Sequence, residues 1–132
     1  MGTFNNLAEA QEYFKNDRYA VMSGITLTAL TEDSCRAEMP LRDLHRNALG
    51  GVMGGAIYTL ADFAFAVIAN QDHNPTVAAD VTVNFLSGSR GTKLVAEASR
   101  VKCGKTTAVY QVMVTDDLGR DIALFTGTGY HL

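Results

Sequence analysis

One carboxylate lies near the middle of an otherwise apolar stretch of the chain. Asp62 belongs to residues 51–70, which read GVMGGAIYTLADFAFAVIAN. An ionised carboxylate among apolar side chains is unfavourable unless a partner or a function offsets its loss of water. The Asp62 side chain is therefore either neutralised, by a helix cap, an arginine or an interface, or it is used in a reaction.

Two adjacent glycines, Gly54 and Gly55, precede Asp62 at the predicted start of a helix. The first N–H groups of a helix have no partner within it and lie at the positive end of the helix dipole. Glycine also allows another group to approach the backbone closely. Close packing of the helix on a sheet is a second interpretation of this pair, and the two interpretations are compatible.

A series of short elements must position these residues, and hydrophobic periodicity predicts where they lie. A first helix is predicted over residues 5–19, because its apolar residues share one face behind an asparagine cap. The main helix starts near Gly54 and ends by Asn70. Strands are predicted at residues 25–31, 34–41, 76–86, 92–102, 106–115 and 121–132.

The main helix is apolar on almost every face, which is typical of a helix that its surroundings bury. A single antiparallel sheet that curls round this helix is one α+β architecture that achieves this. The short turns between the last four strands predict an antiparallel meander, in which each strand lies beside the next. Dimerisation is a common way of covering the remaining face and edges of such a sheet.

Length and composition favour one domain over residues 1–132. The chain is 47% hydrophobic with a net charge of −3, which argues against disorder and against a nucleic-acid-binding surface. Asp62 interrupts the longest apolar run, which falls short of the ~20 residues of a membrane span. Two distant cysteines favour free thiols, and three scattered histidines predict no metal site. Without a signal-peptide pattern, we expect a soluble, cytoplasmic protein.

The stretch HRNALGGVMGGAIYTLADFAFAVIAN resembles the signature of the hotdog-fold thioesterases, in particular the phenylacetic-acid-degradation subgroup of acyl-CoA thioesterases. That signature has an asparagine, a glycine three residues later, then His-Gly-Gly, and then Leu-Ala-Asp within a helix. The corresponding residues here are Asn47, Gly50, Met53-Gly54-Gly55 and Leu60-Ala61-Asp62. The similarity covers residues 40–130 and departs from the signature at Met53, where the family usually has histidine.

The resemblance implies a hotdog fold, to which the first helix predicted over residues 5–19 is an N-terminal addition, and it implies hydrolysis of an acyl-CoA thioester. It implies that Asp62 is the catalytic carboxylate, as general base or nucleophile, that Asn47 positions the water or the thioester, and that the N–H of Gly54 binds the developing oxyanion. Apolar surroundings should raise the pKa of Asp62, which suits a general base. A helix N-terminus suits an oxyanion. No metal or redox cofactor is implied, since coenzyme A is part of the substrate.

Further residues are predicted to contact the acyl group or the coenzyme A. They are Met53, Gly55, Tyr58, Phe63, Arg90, Gly104 and Lys105. Each also has a plain structural interpretation: core packing for the aromatic residues, a simple hairpin turn for the Gly104 segment, and a solvated surface for the basic residues. His45, beside the motif, is predicted to be a loop residue.

The distance between the two main candidates follows from helix geometry. Asp62 lies eight residues beyond Gly54 in one predicted helix, which corresponds to roughly 12 Å at 1.5 Å per residue. One thioester carbonyl cannot lie about 3 Å from both groups. If both act on one thioester, they come from different chains. This predicts a homodimer, or a dimer of dimers, with paired sites at its interface.

Two other functions remain open at this point. A non-catalytic dimer that binds acyl-CoA or an acyl carrier protein fits Met53, because a methionine side chain is only a weak hydrogen-bond acceptor. A hotdog dehydratase or hydratase normally pairs a histidine with the acid, and the main helix contains no histidine.

Overall fold

A computed structural model describes residues 2–132 and contains three α-helices and six β-strands. The helices are α1 (Leu7–Phe14), α2 (Arg18–Met22) and α3 (Gly54–Asp72). The strands are β1 (Thr26–Leu30), β2 (Ser34–Pro40), β3 (Thr76–Phe85), β4 (Lys93–Cys103), β5 (Thr107–Asp116) and β6 (Asp121–His131). A 3-10 turn at Asp43–His45 precedes the loop that leads into α3.

The six strands form one antiparallel sheet in the order β1-β2-β4-β5-β6-β3. α3 packs against five of these strands, and its buried residues form the centre of the core. The predicted α+β architecture, an antiparallel sheet around a long buried helix, is confirmed. The position of β3 differs from the predicted meander, because β3 pairs with β6 and not with β4.

The segment between β3 and β4, predicted to be a turn, crosses the ends of β6 and β5. The N–H of Leu86 donates to Ile122 in β6 at 2.8 Å. Further along, the N–H of Gly91 donates to the carboxylate of Asp116, the last residue of β5, and the N–H of Thr92 donates to that of Asp117, in the turn that follows. Side chains from residues 116–117 thus hold the segment between β3 and β4, in place of the backbone bonds of a hairpin turn. Local periodicity does not predict such long-range bonds.

Two glycines of β6 allow close packing, Gly127 against α3 and Gly129 against the start of β3. A Cβ atom added to Gly127 would lie 2.8 Å from the ring of Phe65, and one added to Gly129 would lie 2.8 Å from Thr76. Such distances are shorter than van der Waals contact. The Phe65 ring instead packs against Tyr110 and Phe125, with ring centroids 5.6 Å apart in each case.

The predicted first helix is divided into two. Asn6 caps α1 as predicted, by accepting from the N–H of Glu9 at 2.9 Å. The chain turns after Phe14, whose ring packs edge-on against Phe63 of α3. It then forms α2, which also lies against α3. The turn before α2 places Asp17 beside the central helix.

Both cysteines are free thiols, as predicted: Cys35 is buried and Cys103 is exposed. Over residues 2–132, no helix combines the length and apolar character needed to cross a membrane.

Candidate active site

The first turn of α3 presents two free backbone donors. The N–H groups of Ala56 and Ile57 bond back to the carbonyl of Met53, at 3.0 and 3.2 Å. The N–H groups of Gly54 and Gly55 donate to no group within residues 2–132. Unpaired amides at a helix N-terminus favour an anionic oxygen.

Gly54 is half-buried at the edge of an open pocket of about 390 Å³. A Cβ atom at Gly54 would lie 3.3 Å from the ring of Phe85, so an aromatic edge lies directly against this backbone. The pocket is lined by Val52, Gly54, Ile57, Phe85, Leu86, Ser87 and Gly88. The start of α3 and the end of β3 therefore form one cleft.

Asn47 shapes the loop that leads to this cleft. Its side-chain oxygen accepts from the N–H groups of Leu49 and Gly51, at 3.0 and 3.1 Å, and its own N–H donates to the Gly51 carbonyl at 2.8 Å. These bonds close a tight loop in which Gly50 has a φ of +87°. The side-chain N–H₂ of Asn47 has no acceptor within the described residues, so it is free to act as a donor.

His45 has a defined structural role that the sequence did not reveal. The side chain is 2% exposed. Nδ1 accepts from the N–H of Arg42 at 2.9 Å, so the proton lies on Nε2, which donates to the Ser23 carbonyl at 2.8 Å. The His45 carbonyl accepts from the N–H of Met53 at 2.7 Å. His45 thus ties the end of α2 to the residue that precedes α3.

Asp62 lies on the same helix but faces a different pocket, of about 190 Å³. This pocket is lined by Asp17, Tyr19, Ala20, Tyr58, Thr59, Asp62 and Phe63. The Asp62 carboxylate is half-buried and forms no hydrogen bond or ion pair with residues 2–132. Burial raises its pKa, and the negative charge of Asp17 raises it further. The predicted direction is confirmed, and Asp17 is a contributor that the sequence did not indicate.

The two candidate groups are thus separated within one chain. The pocket of Gly54 and the pocket of Asp62 have no lining residue in common. Both residues belong to the continuous helix Gly54–Asp72, which gives the roughly 12 Å separation expected from the helix rise. One chain alone does not bring the oxyanion donor and the carboxylate to one reacting carbonyl.

The predicted acyl-contacting residues divide into exposed and buried positions. Met53 is 49% exposed, Gly55 is exposed, and Tyr58 is 37% exposed. The pKa of the Tyr58 hydroxyl is raised by burial and by Asp62. Phe63 is buried against Phe14, as its core-packing interpretation states, and it also forms part of the Asp62 pocket.

The predicted contacts to coenzyme A lie at opposite ends of the sheet. Arg90 precedes β4 at the end where α3 begins, whereas Gly104 and Lys105 follow β4 at the other end. β4 has 11 residues, which span roughly 30 Å at about 3.3 Å per residue. The N–H of Gly104 closes a hairpin with Thr107 at 2.8 Å. Of the two predicted basic contacts, Arg90 lies on the side of Gly54 and Lys105 does not.

A buried carboxylate that sequence analysis missed holds the segment containing Arg90. Asp116 is 3% exposed. It accepts from the N–H groups of Arg90, Gly91, Leu118 and Arg120 and from the hydroxyl of Ser89, over 2.9–3.2 Å. Burial alone would raise its pKa, but these donors lower it to about 2. The DDLGR turn gave no sign of this long-range role.

Among residues 2–132, no group of three or more histidine, cysteine or acidic side chains is placed to hold a metal ion. The groups of the site that have no partner within residues 2–132 are the Asp62 carboxylate, the N–H groups of Gly54 and Gly55, and the side-chain N–H₂ of Asn47.

The family model described as thioesterase superfamily matches residues 49–123, more than half of the chain and the whole of α3. The chain belongs to the thioesterase superfamily. It is 30% identical to acyl-coenzyme A thioesterase PaaI of Escherichia coli, over 93% of this chain and 89% of that protein. It is also 30% identical to human acyl-coenzyme A thioesterase 13, over 73% of this chain and 71% of that protein.

Solved structures of thioesterases have the same fold. The structure of the E. coli PaaI protein from the phenylacetic acid degradation operon matches with a TM-score of 0.88 and 28% identity. The match covers 93% of this chain and 90% of that one. A thioesterase from Haemophilus influenzae, at 21% identity, also has a TM-score of 0.88 and shows the shared fold. The predicted hotdog fold and the predicted thioesterase class of enzyme are confirmed.

Proposed function

We propose that this thioesterase hydrolyses an acyl-CoA thioester to the free acid and coenzyme A. The observation that carries the proposal is that one helix presents two groups without a hydrogen-bond partner within residues 2–132. They are the N–H of Gly54 at its start and the carboxylate of Asp62 farther along it. The names of the E. coli and human relatives support acyl-CoA as the substrate. The acyl group is of the aryl or the short- to medium-chain class.

The reaction begins with the thioester carbonyl oxygen at the N–H of Gly54. Asp62 of a second copy removes a proton from water, and the water oxygen bonds to the carbonyl carbon. The oxyanion that forms is stabilised by the Gly54 amide, and it collapses by breaking the carbon–sulfur bond. The acid and the coenzyme A thiolate leave, and the proton passes from Asp62 to the thiolate or to solvent. Direct attack by Asp62, followed by hydrolysis of the anhydride, gives the same products.

Asn47 contributes the donor that its loop leaves free. Its oxygen is committed to two loop amides, whereas its N–H₂ group is available to orient the water or the thioester. Arg90 is placed to attract the phosphates of coenzyme A on the side of Gly54. Coenzyme A arrives with the substrate, and no resident cofactor takes part in these steps. We place the enzyme in the cytoplasm.

The proposed site needs two chains, and the surface of this chain favours such an assembly. β3 is the edge strand beside β6, and one of its two backbone edges has no neighbouring strand. Exposed apolar side chains continue from this edge to the start of α3: Val77 is 46% exposed, Phe85 57% and Leu86 50%. A long, apolar edge strand favours pairing with another strand. The proposed assembly is a homodimer or a dimer of dimers.

A panel of acyl-CoAs, with release of free thiol followed over time, tests this function. Wild type should hydrolyse at least one member of the panel. Asp62→Asn should lower kcat by roughly 10²- to 10⁴-fold, the usual contribution of a positioned base. Asp33→Asn, which removes a carboxylate from an exposed turn, serves as the control. Equally slow thiol release by wild type and Asp62→Asn would contradict the proposal.

A non-catalytic acyl-CoA-binding dimer is the second candidate, and Met53 favours it. This residue stands where the family usually has histidine, and its side chain forms no hydrogen bond with residues 2–132. Calorimetric binding of a non-hydrolysable acyl-CoA thioether, together with no thiol release by wild type, would support this candidate over the enzyme.

A further inference from the structure

Asp17 is an aspartate at the start of a helix that does not cap it. It occupies the N-cap position of α2, where an aspartate side chain usually accepts from the first N–H groups of the helix. Here the carboxylate makes no such bond. It lies instead in the pocket that contains Asp62. The helix thus loses a favourable cap, and a second carboxylate is placed near the candidate base.

The backbone fixes Asp17 in this place. Its N–H donates to the carbonyl of Phe14 at 3.1 Å, and its carbonyl accepts from Val21 at 3.1 Å. The far end of α2 is held by the bond between Ser23 and buried His45. The carboxylate of Asp17 is therefore carried by a short segment that is anchored at both ends.

Within residues 2–132, no positively charged side chain lines the pocket to offset the two carboxylates. Its titratable residues are Asp17 and Tyr19 from α2 and Tyr58 and Asp62 from α3. Neither a lysine, an arginine nor a histidine belongs to the lining. A neighbouring negative charge in a partly desolvated pocket makes ionisation of a carboxyl group less favourable. The pKa of Asp62 is raised first by burial and then by Asp17.

We propose that Asp17 is a positioning residue of the hydrolytic site, which acts through Asp62 to strengthen it as a proton acceptor. The inference rests on the proposed function, because it concerns the step in which Asp62 takes the proton of the attacking water. Asp17 does not contact the thioester. Its negative charge favours transfer of that proton to Asp62. The break between α1 and α2 places Asp17 in the pocket of Asp62.

The direct test is the titration of Asp62 itself, followed by carboxyl-carbon NMR in the wild-type protein and in Asp17→Asn. Asparagine is as good an N-cap as aspartate, so α2 should remain folded, and Asp17→Ser provides a second neutral cap. We expect the midpoint of the Asp62 titration to move to lower pH in both neutral variants. Asp17→Glu should keep it near the wild-type midpoint, and Asp33→Asn should leave it unchanged.

Kinetics provide the second readout. In a pH profile of kcat/KM, the acidic limb should move to lower pH in Asp17→Asn by the same amount as the NMR midpoint, with little change in KM. An unchanged Asp62 midpoint in the folded neutral variants would overturn the proposal for Asp17. Absence of hydrolysis by wild type would overturn the proposed function instead, and the NMR titration distinguishes the two failures.

Discussion

At the scale of single residues, two carboxylates show how surroundings decide a role. Asp62 is half-buried without a donor, and its pKa is raised. Asp116 is more deeply buried, yet its five donors lower its pKa to about 2. The first arrangement leaves a carboxylate ready to take a proton, and the second makes a carboxylate a structural anchor.

The raised pKa of Asp62 predicts that Asp62→Asn is more stable than wild type at pH 7. Because the folded state binds the Asp62 proton more tightly than the unfolded state does, the free energy of unfolding falls as the pH rises above 3.8, the ordinary pKa, and through the folded-state value. Asparagine does not titrate, so the Asp62→Asn variant does not lose this part of its free energy of unfolding as the pH rises. The gain in urea midpoint should be largest at pH 7 and should shrink as the pH approaches 3.8.

Asp33→Asn is the matched control for this stability measurement, since it neutralises an exposed turn residue. A urea midpoint of Asp62→Asn that is below wild type at pH 7, or a gain that is independent of pH, would show that Asp62 is satisfied by a partner.

Asp116→Ala should destabilise the fold by about 3 kcal/mol, because it leaves five part-buried donors without their acceptor. It should also raise KM for acyl-CoA, since the segment that carries Arg90 loses its anchor. Urea unfolding and initial-rate kinetics measure the two effects. Asp121→Asn, at an exposed position just after the same turn, should change neither. Wild-type stability and KM in Asp116→Ala would refute the anchoring role.

At the scale of elements, hydrophobic periodicity predicts the long helix and the strands, and the differences occur where tertiary contacts decide the path of the chain. Residues 54–70 were predicted as a buried helix, and α3 is that helix with two more residues. Periodicity does not predict the break after α1, because residues 15–19 are polar or helix-compatible, whereas in the structure α2 forms separately and packs against α3. The crossing of residues 86–92 was also missed, because its hydrogen-bond partners lie about 25 residues away in sequence.

For the candidate site, the sequence predicts the residues of the motif but not the residues that reach the site through tertiary packing. The motif located Gly54, Asp62 and Asn47 on the chain, and the helix rise predicted their separation. Asp17 could not be found in this way, since its relation to Asp62 depends on how α2 packs on α3. The buried role of His45 has a similar cause, because one of its two partners, the Ser23 carbonyl, lies 22 residues away at the end of α2.

Gly127→Ala tests the close approach of α3 to β6. The added Cβ atom would lie 2.8 Å from the Phe65 ring, and an overpacked core of this kind costs about 1–3 kcal/mol. Gly88→Ala is the control, because a Cβ atom there meets nothing within 4 Å. We expect a lower thermal midpoint for Gly127→Ala alone. Equal midpoints for the two variants would mean that the Phe65 ring can move aside.

At the scale of the whole molecule, the two proposed catalytic groups of one chain lie in different pockets. Gly54, the proposed oxyanion donor, lines the cleft beside Phe85, and Asp62, the proposed base, lines the pocket beneath α2. A two-fold symmetric dimer would make each complete site from Gly54 of one chain and Asp62 of the other. The edge strand β3 and its apolar neighbours offer the surface for such a dimer.

Mixed dimers of two inactive variants test this central claim most directly. Gly54→Pro removes the N–H at the first residue of α3, where proline is well tolerated, and Gly54→Ala keeps the N–H as its control. After Gly54→Pro and Asp62→Asn chains are mixed and allowed to exchange, half of the dimers should be mixed, each with one intact site. We expect recovery of about one quarter of wild-type thiol release. No recovery, with mixed dimers demonstrated by native mass spectrometry, would contradict it.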